Sequence, residues 1–288
     1  MAVEKKTSGK EEIPINIEFE YTGLAESNSK RGRRPVSQPK VQNQDPSESN
    51  YIREMRLRKL PFQVNEALNT LRANIQLSGY DLKVIGITSS LKHEGKSSLS
   101  FELARAFAAL GKSTIYVDCD IRNSHIISRH RIRERIVGMS EYLSGNAELD
   151  QVIYKTRVRS MDMIFTGGSA PNPSELFSEK RFRDLIAWLK KTYDYVIVDT
   201  PPVNEVIDGV LILKECDGTV LVVESGVTDR RQAQKAQQQL NYAGIRILGV
   251  ALNKIGTRKS GYGYGYGYGY GKYGYGKYGY GYGYGEKK

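Results

Sequence analysis

Two cysteines in 288 residues, Cys119 and Cys216, are too few and too far apart in the chain for a disulfide framework. No signal-peptide pattern precedes the first foldable stretch, so a reducing cytosolic setting is expected. Also missing is any apolar run near the roughly 20 residues that span a bilayer. If the protein works at a membrane, a partner or surface charge must hold it there, at the inner face. Residues 1–50 have little large apolar content and much Lys, Glu, Ser, Gln and Asn, so disorder is the expectation for this extension. One stretch in it differs. Ile13, Ile15, Ile17, Phe19 and Tyr21 alternate with Pro14, Asn16, Glu18 and Glu20 at the period of a half-buried strand that can add to a sheet edge. The basic cluster from Arg31 to Arg34 reads as a solvated linker.

What is present is positive charge: 43 Lys and Arg against 32 Asp and Glu give a formal +11. Such a balance suits anionic lipid headgroups, nucleic acid or phosphorylated partners, and does not choose among them. With both ends unsuited to packing, roughly 200 residues remain for a core, which is enough for one α/β domain. The expected division is an extension over 1–50, a helical segment over 51–80, a domain over 81–258 and a tail over 259–288.

In the helical segment Leu60, Val64, Ala67, Leu68, Leu71 and Ile75 recur at three and four residues, as on one helix face, with Pro61 at its first turn. A β-branched strand, Lys83 to Thr88, then runs into Ser90-Leu-Lys-His-Glu94-Gly95-Lys96-Ser97, and a helix follows from Ser97 to Leu110. Strand, loop and helix in this order make a phosphate cradle. Gly95 lets backbone approach phosphate, Lys96 reaches the β/γ oxygens, and Ser97 offers its hydroxyl to Mg²⁺ at the positive end of the helix. Ser90, Glu94, Gly95, Lys96, Ser97 and Ser98 are the candidate nucleotide contacts, with Ser90 standing where the usual motif has Gly.

The next strand, Thr114-Ile-Tyr-Val-Asp118-Cys-Asp120-Ile-Arg122, delivers two carboxylates and a guanidinium to its C-terminal end, the edge where doubly wound sheets bind ligands. Helix capping is the bland alternative for Asp118 and Asp120. A third stretch, Tyr193-Asp-Tyr-Val-Ile-Val-Asp199-Thr-Pro-Pro202, brings Asp199 to the same edge, where it can hold Mg²⁺ directly or through water. The five arginines between Arg122 and Arg135 lack the interleaved aromatics of base stacking, so they read as a solvated face and no nucleic-acid partner is expected. A short capped helix over Gly138 to Gly145, a strand over Met161 to Thr166 and one helix running from the Pro171 turn to Lys191 follow. Strands at Thr219 to Val223 and Ile247 to Leu252 flank a helix from Thr228 to Ala243. This alternation specifies a mostly parallel, doubly wound α/β sheet with helices on both faces.

The tail alternates Gly and Tyr from Gly261 to Gly285 and presents Tyr262, Tyr264, Tyr266, Tyr268, Tyr270, Tyr273, Tyr275, Tyr278, Tyr280, Tyr282 and Tyr284. Backbone entropy at every second residue opposes packing. Two readings stand: a sticky low-complexity segment, or a set of phosphoacceptors on a flexible leash.

From about Phe62 to Lys254, two thirds of the chain, the sequence resembles the bacterial tyrosine kinases that control capsule and exopolysaccharide synthesis. The marks are Ser90-x4-Gly95-Lys96-Ser97, Asp118-x-Asp120-x-Arg122, Val196-Ile-Val-Asp199 and the tyrosine-rich tail. The resemblance implies a P-loop fold using ATP and Mg²⁺, with Lys96 neutralising β/γ charge and Ser97, Asp120 and Asp199 organising the metal. Asp118 would accept or orient the tyrosine proton, while Arg122 would meet phosphate or the aspartates. It also implies self-assembly, possible ring formation, a membrane-embedded polysaccharide chain-length regulator as activator, and a cognate tyrosine phosphatase. The family's Glu-x-x-Arg-x-x-Arg oligomerisation helix corresponds here to Glu66, Asn69 and Arg72, with the middle arginine lost. Related partitioning and septum-site ATPases place a signature lysine five residues before the motif lysine. Leu91 stands at that position, and Lys92 is one step off.

Overall fold

The computed structural model describes residues 16–18 and 50–255. The Arg31 to Arg34 cluster and the eleven tail tyrosines lie outside the described residues. In chain order the elements begin with β1 (Asn16–Glu18), β2 (Tyr51–Ile52), α1 (Phe62–Leu77), β3 (Val84–Ser89), α2 (Lys96–Ala108), β4 (Thr114–Asp118), α3 (Ile126–His130) and α4 (Met139–Leu143). They continue with α5 (Leu149–Val152), β5 (Tyr154–Thr156), β6 (Met161–Ile164), α6 (Pro173–Ser178), α7 (Lys180–Thr192), β7 (Tyr195–Asp199), α8 (Asp208–Leu213), β8 (Gly218–Glu224), α9 (Arg230–Tyr242) and β9 (Ile247–Asn253).

These strands form one sheet in the order β1-β9-β8-β3-β7-β4-β6-β5-β2. All neighbours run parallel except β5 against β6. Buried on both faces, the central strands are near-continuous apolar runs, as parallel strands under two helix layers must be. Successive side chains serve opposite layers. In β3, Ile85 and Ile87 join the cluster under α1 and α2, and Val84 joins the cluster under α7. In α1 the buried set Val64, Leu68, Leu71 and Ile75 follows the periodicity read from the sequence, and Pro61 directly precedes the first turn. The 13–21 alternation, set apart from the rest of the extension as a candidate edge strand, contains β1, which pairs with β9 at the sheet edge. Among the described residues no helix is long and apolar enough to cross a membrane.

The single helix expected up to Lys191 is instead two, α6 and α7, broken where Glu179 turns extended at ψ 159°. Phe177 and Phe182 flank the break and meet edge to face with centroids 5.0 Å apart, a packing that an unbroken helix at spacing five does not allow. Helix α9 is capped one residue later than expected, by the Asp229 side chain accepting from the Arg231 amide.

One buried group ties this fold to pH. His130 is 4% exposed, has its Nδ1 at 2.9 Å from the Arg56 carbonyl and lies 4.0 Å from the Phe101 ring. Burial, together with the nearby Arg129, Arg58 and Arg105 cations, pushes its pKa down to about 4 from 6.5. The folded state therefore stays neutral while the unfolded state takes a proton below pH 6.5, so stability falls as pH drops through that window. The slope is about 1.4 kcal/mol per pH unit, or about 2 kcal/mol between pH 6.5 and 5. Urea unfolding of His130→Gln should show a loss smaller by about that amount across the same interval, whereas identical losses would acquit His130.

Candidate nucleotide site

The site is assembled by register. Asp118, the last residue of β4, lies directly across from Asp199, the last residue of β7, on adjacent parallel strands. Because side chains alternate, both carboxylates share the sheet face of Tyr116 and Ile197, over which α2 packs. Helix α2 begins at Lys96 on that same face. Lys96 Nζ reaches Asp120 Oδ2 at 2.7 Å and Ser97 Oγ at 3.3 Å. Thus Asp118, Asp120, Asp199, Lys96 and Ser97, drawn from three separated stretches, meet at one place.

The loop before α2 is held in shape from outside. His93 and Gly95 adopt left-handed backbone, φ 67° and 95°, and a Cβ on Gly95 would come within 2.1 Å of Asn253 Nδ2. Asn253 Nδ2 donates to the Glu94 carbonyl at 2.9 Å, and Lys254 Nζ donates to the His93 carbonyl at 2.7 Å while pairing with Glu224. Two residues at the end of β9 thereby clamp the cradle. Sequence reading passed over them, although a polar pair directly after an apolar strand at this edge was the available signal.

Some candidates are engaged elsewhere. The Glu94 carboxylate, assigned to nucleotide contact, accepts from the Leu91 amide at 2.9 Å and from the Thr228 hydroxyl, tying the loop to the turn between β8 and α9. Burial raises its pKa, and those two hydrogen bonds oppose the rise. Ser98 Oγ accepts from Arg129. The Ser90 hydroxyl is buried without a hydrogen-bond partner in the protein. Arg122 binds an aspartate outside the three stretches, Asp208, through Nε at 2.6 Å and Nη2 at 3.4 Å. Buried Asp208, which also accepts from Ser174, was missed because an acid at the start of a helix reads as a cap. Lys92 is committed to the surface, where it pairs with Glu205 at 2.9 Å.

Electrostatically the site has a surplus of acid. Asp118 accepts from Ser124 Oγ and from the Asp120 amide, and Asp199 Oδ2 accepts from the Tyr116 hydroxyl at 3.0 Å. Burial, followed by the neighbouring Asp199 charge, raises the pKa of Asp118, and burial likewise raises that of Asp199. Burial alone would depress Lys96, but the charges of Asp199, Asp120 and Asp118 overcome it and hold the ammonium protonated. Asp199 Oδ1 is buried with no hydrogen-bond partner. Among the described residues no set of three or more His, Cys, Asp or Glu is arranged to hold a metal unaided. Mg²⁺ does not need such a cage, because it takes one or two carboxylates and completes its shell with phosphate oxygens and water. An orphaned carboxylate oxygen, a serine at the helix start and three acids facing one lysine fit a Mg²⁺–nucleotide.

Residues 82–229, just over half of the chain, match the AAA domain family. The chain is 42% identical to Tyrosine-protein kinase CpsD of Streptococcus pneumoniae serotype 4 over 204 residues, covering 70% of this chain and 90% of that protein. With Tyrosine-protein kinase YwqD of Bacillus subtilis the identity is 34% over 191 residues, or 66% and 80% of the two chains. Among solved structures, the kinase domain of the Escherichia coli tyrosine kinase ETK superposes with a TM-score of 0.66 at 29% identity, covering 76% of this chain and 90% of that one.

Proposed function

Because the chain belongs to the family of bacterial tyrosine-protein kinases, we propose that it uses ATP with Mg²⁺ to phosphorylate the tyrosines of its own 262–284 segment, in trans within an oligomer. Its setting is the control of capsule or exopolysaccharide synthesis. A membrane-embedded chain-length regulator would be its activator and a tyrosine phosphatase its reset. The observation that carries this reading is the joining of Lys96, Asp118, Asp120 and Asp199 at one sheet edge in a chain that ends in eleven alternating tyrosines.

The residues divide the work. Lys96 would exchange its Asp120 contact for the β/γ phosphates, which frees Asp120 to join Ser97 and Asp199 as the metal-holding set. Bound there, the metal supplies charge neutralisation for a loose transition state. The tyrosine oxygen bonds to the γ-phosphorus while the bond from that phosphorus to the β–γ bridging oxygen breaks and ADP leaves. Asp118 takes or orients the phenolic proton. Arg122, fixed by Asp208, lines the approach with a positive charge.

Reach makes transfer between subunits geometrically easy, since about 30 residues of extended tail span roughly 90 Å. Mixing two chains tests it: a Lys96→Met full-length chain as acceptor, and an active chain truncated after Lys259 as donor. Label from ATP should appear on the Lys96→Met chain. No label on the Lys96→Met chain in this mixture, while the full-length active chain incubated alone is labelled, would remove the trans step.

A further inference from the structure

Across the domain from the β-strand ends just described lies a feature the transfer chemistry does not use. Arg58, Lys59, Arg72, Arg105 and Arg159 line an open groove of about 800 Å³ between α1 and the last turn of α2. Among the described residues Glu102 is the single acid lining it, and it is paired to Arg105 at 2.5 Å. Leu60, Leu68, Ala106, Leu110 and Val158 supply an apolar wall beside these charges. Arg72 leans into the domain, with Nη1 donating to the Ala106 carbonyl at 3.0 Å and Nε buried with no hydrogen-bond partner.

We propose that this groove is a phosphotyrosine-docking site, and that its occupant is the phosphorylated 262–284 segment of the same chain or of a second copy. The proposal rests on the reading that those tyrosines are the acceptors. A phosphotyrosine needs guanidinium forks for a dianionic phosphate and an apolar surface for the ring, and the groove offers both. An anionic lipid surface is planar and would be met by a flat or convex basic face, whereas these cations line a recess. The segment is long enough: 7 to 29 residues separate Ile255 from Tyr262 and Tyr284, an extended reach of about 25 to about 95 Å.

Docking here has a consequence for assembly. Glu66 and Arg72, which the family resemblance assigns to subunit contact, lie on α1, the helix that forms one wall of the groove. Arg72 already bonds within its own chain, and Glu66 accepts from Asn69 Nδ2 at 3.2 Å. A phosphorylated segment seated against α1 competes with a neighbouring subunit for that surface, so phosphorylation separates subunits through a defined site in addition to diffuse repulsion.

The test uses the phosphatase-treated full chain without ATP and a fluorescent synthetic peptide spanning residues 276–285, with Tyr280 and Tyr282 either phosphorylated or plain. Fluorescence anisotropy should show at least tenfold tighter binding of the phosphorylated peptide. The double variant Lys59→Glu, Arg159→Glu, two exposed side chains remote from the nucleotide site, should lose at least tenfold of that affinity while melting at the same temperature and binding nucleotide unchanged. Equal binding by variant and wild type overturns the proposal. So does binding of phosphatidylserine vesicles that depends on Lys59 and Arg159 while the phosphopeptide stays unbound, which would assign the groove to lipid. Since the peptide is made synthetically, failure to bind leaves the kinase reading untouched.

Discussion

Lys96→Met reduces tyrosine phosphorylation by at least about 10³-fold, the scale seen when a preorganised positive group is removed from a charge-transfer site. Lys96 is the ammonium at 2.7 Å from Asp120 and the cation that Asp118 and Asp199 also feel. Without it nothing on α2 offsets the β/γ phosphate charge as the phosphoryl group passes. Removing one partner of a buried pair also costs stability, on the order of 3–5 kcal/mol, so the variant should melt earlier while remaining folded at low temperature. Lys96→Arg separates the two effects: it restores a cation to the carboxylates, but its planar fork does not reproduce a compact ammonium at the loop. The check is phosphotyrosine formed per chain at saturating ATP, measured at a temperature where circular dichroism shows native helix. Normal rates in Lys96→Met would displace the whole site assignment.

The second large effect concerns charge in the tail. The side chains of residues 261–288 carry Lys272, Lys277, Lys287 and Lys288 against Glu286, so they start at +3. Eleven phosphates would add about −16 to −22, enough to reverse the net charge of a chain that starts at +11. Like-charge repulsion, strengthened by occupation of the α1 groove, should lower the oligomer to smaller species on incubation with ATP and activator. A chain with all eleven tail tyrosines changed to Phe should keep its assembled mass under the same conditions. Light scattering on both proteins decides it: an unchanged wild-type mass after full phosphorylation would end this account of regulation.

Much of the site was legible because a parallel sheet gathers the C-terminal ends of distant strands at one edge. Asp118 and Asp199 each follow an apolar strand run, and that pattern alone sends both to the ligand edge; their direct pairing in register adds that they share a face. What the sequence could not convey is which partner each polar atom takes. Glu94 and Ser98 sit within the motif, yet Thr228 and Arg129 claim their side chains, and both partners are contributed by remote segments. Asp208 and Thr228 are single polar residues in stretches with ordinary capping or loop chemistry, so only three-dimensional packing reveals that they brace Arg122 and the phosphate loop. The break between α6 and α7 escaped for a related reason. Apolar residues continue at near-helical spacing through Glu179, and the Phe177–Phe182 contact that favours two helices is tertiary. Short edge strands such as β2 and β5, two and three residues long, carry too few positions for any period to show.

An acid-rich nucleotide site that transfers phosphate to tyrosine is distinguished from one that merely hydrolyses ATP by where the γ-phosphate goes. The most direct measurement incubates the purified full chain with Mg²⁺, γ-labelled ATP and an activator segment, then quantifies ADP and locates label by peptide mass spectrometry. Phosphotyrosine recovered within residues 262–284, with ADP formed in matching amount during the first turnovers, is the predicted result. ADP accumulating with inorganic phosphate and no phosphotyrosine in that segment would contradict it.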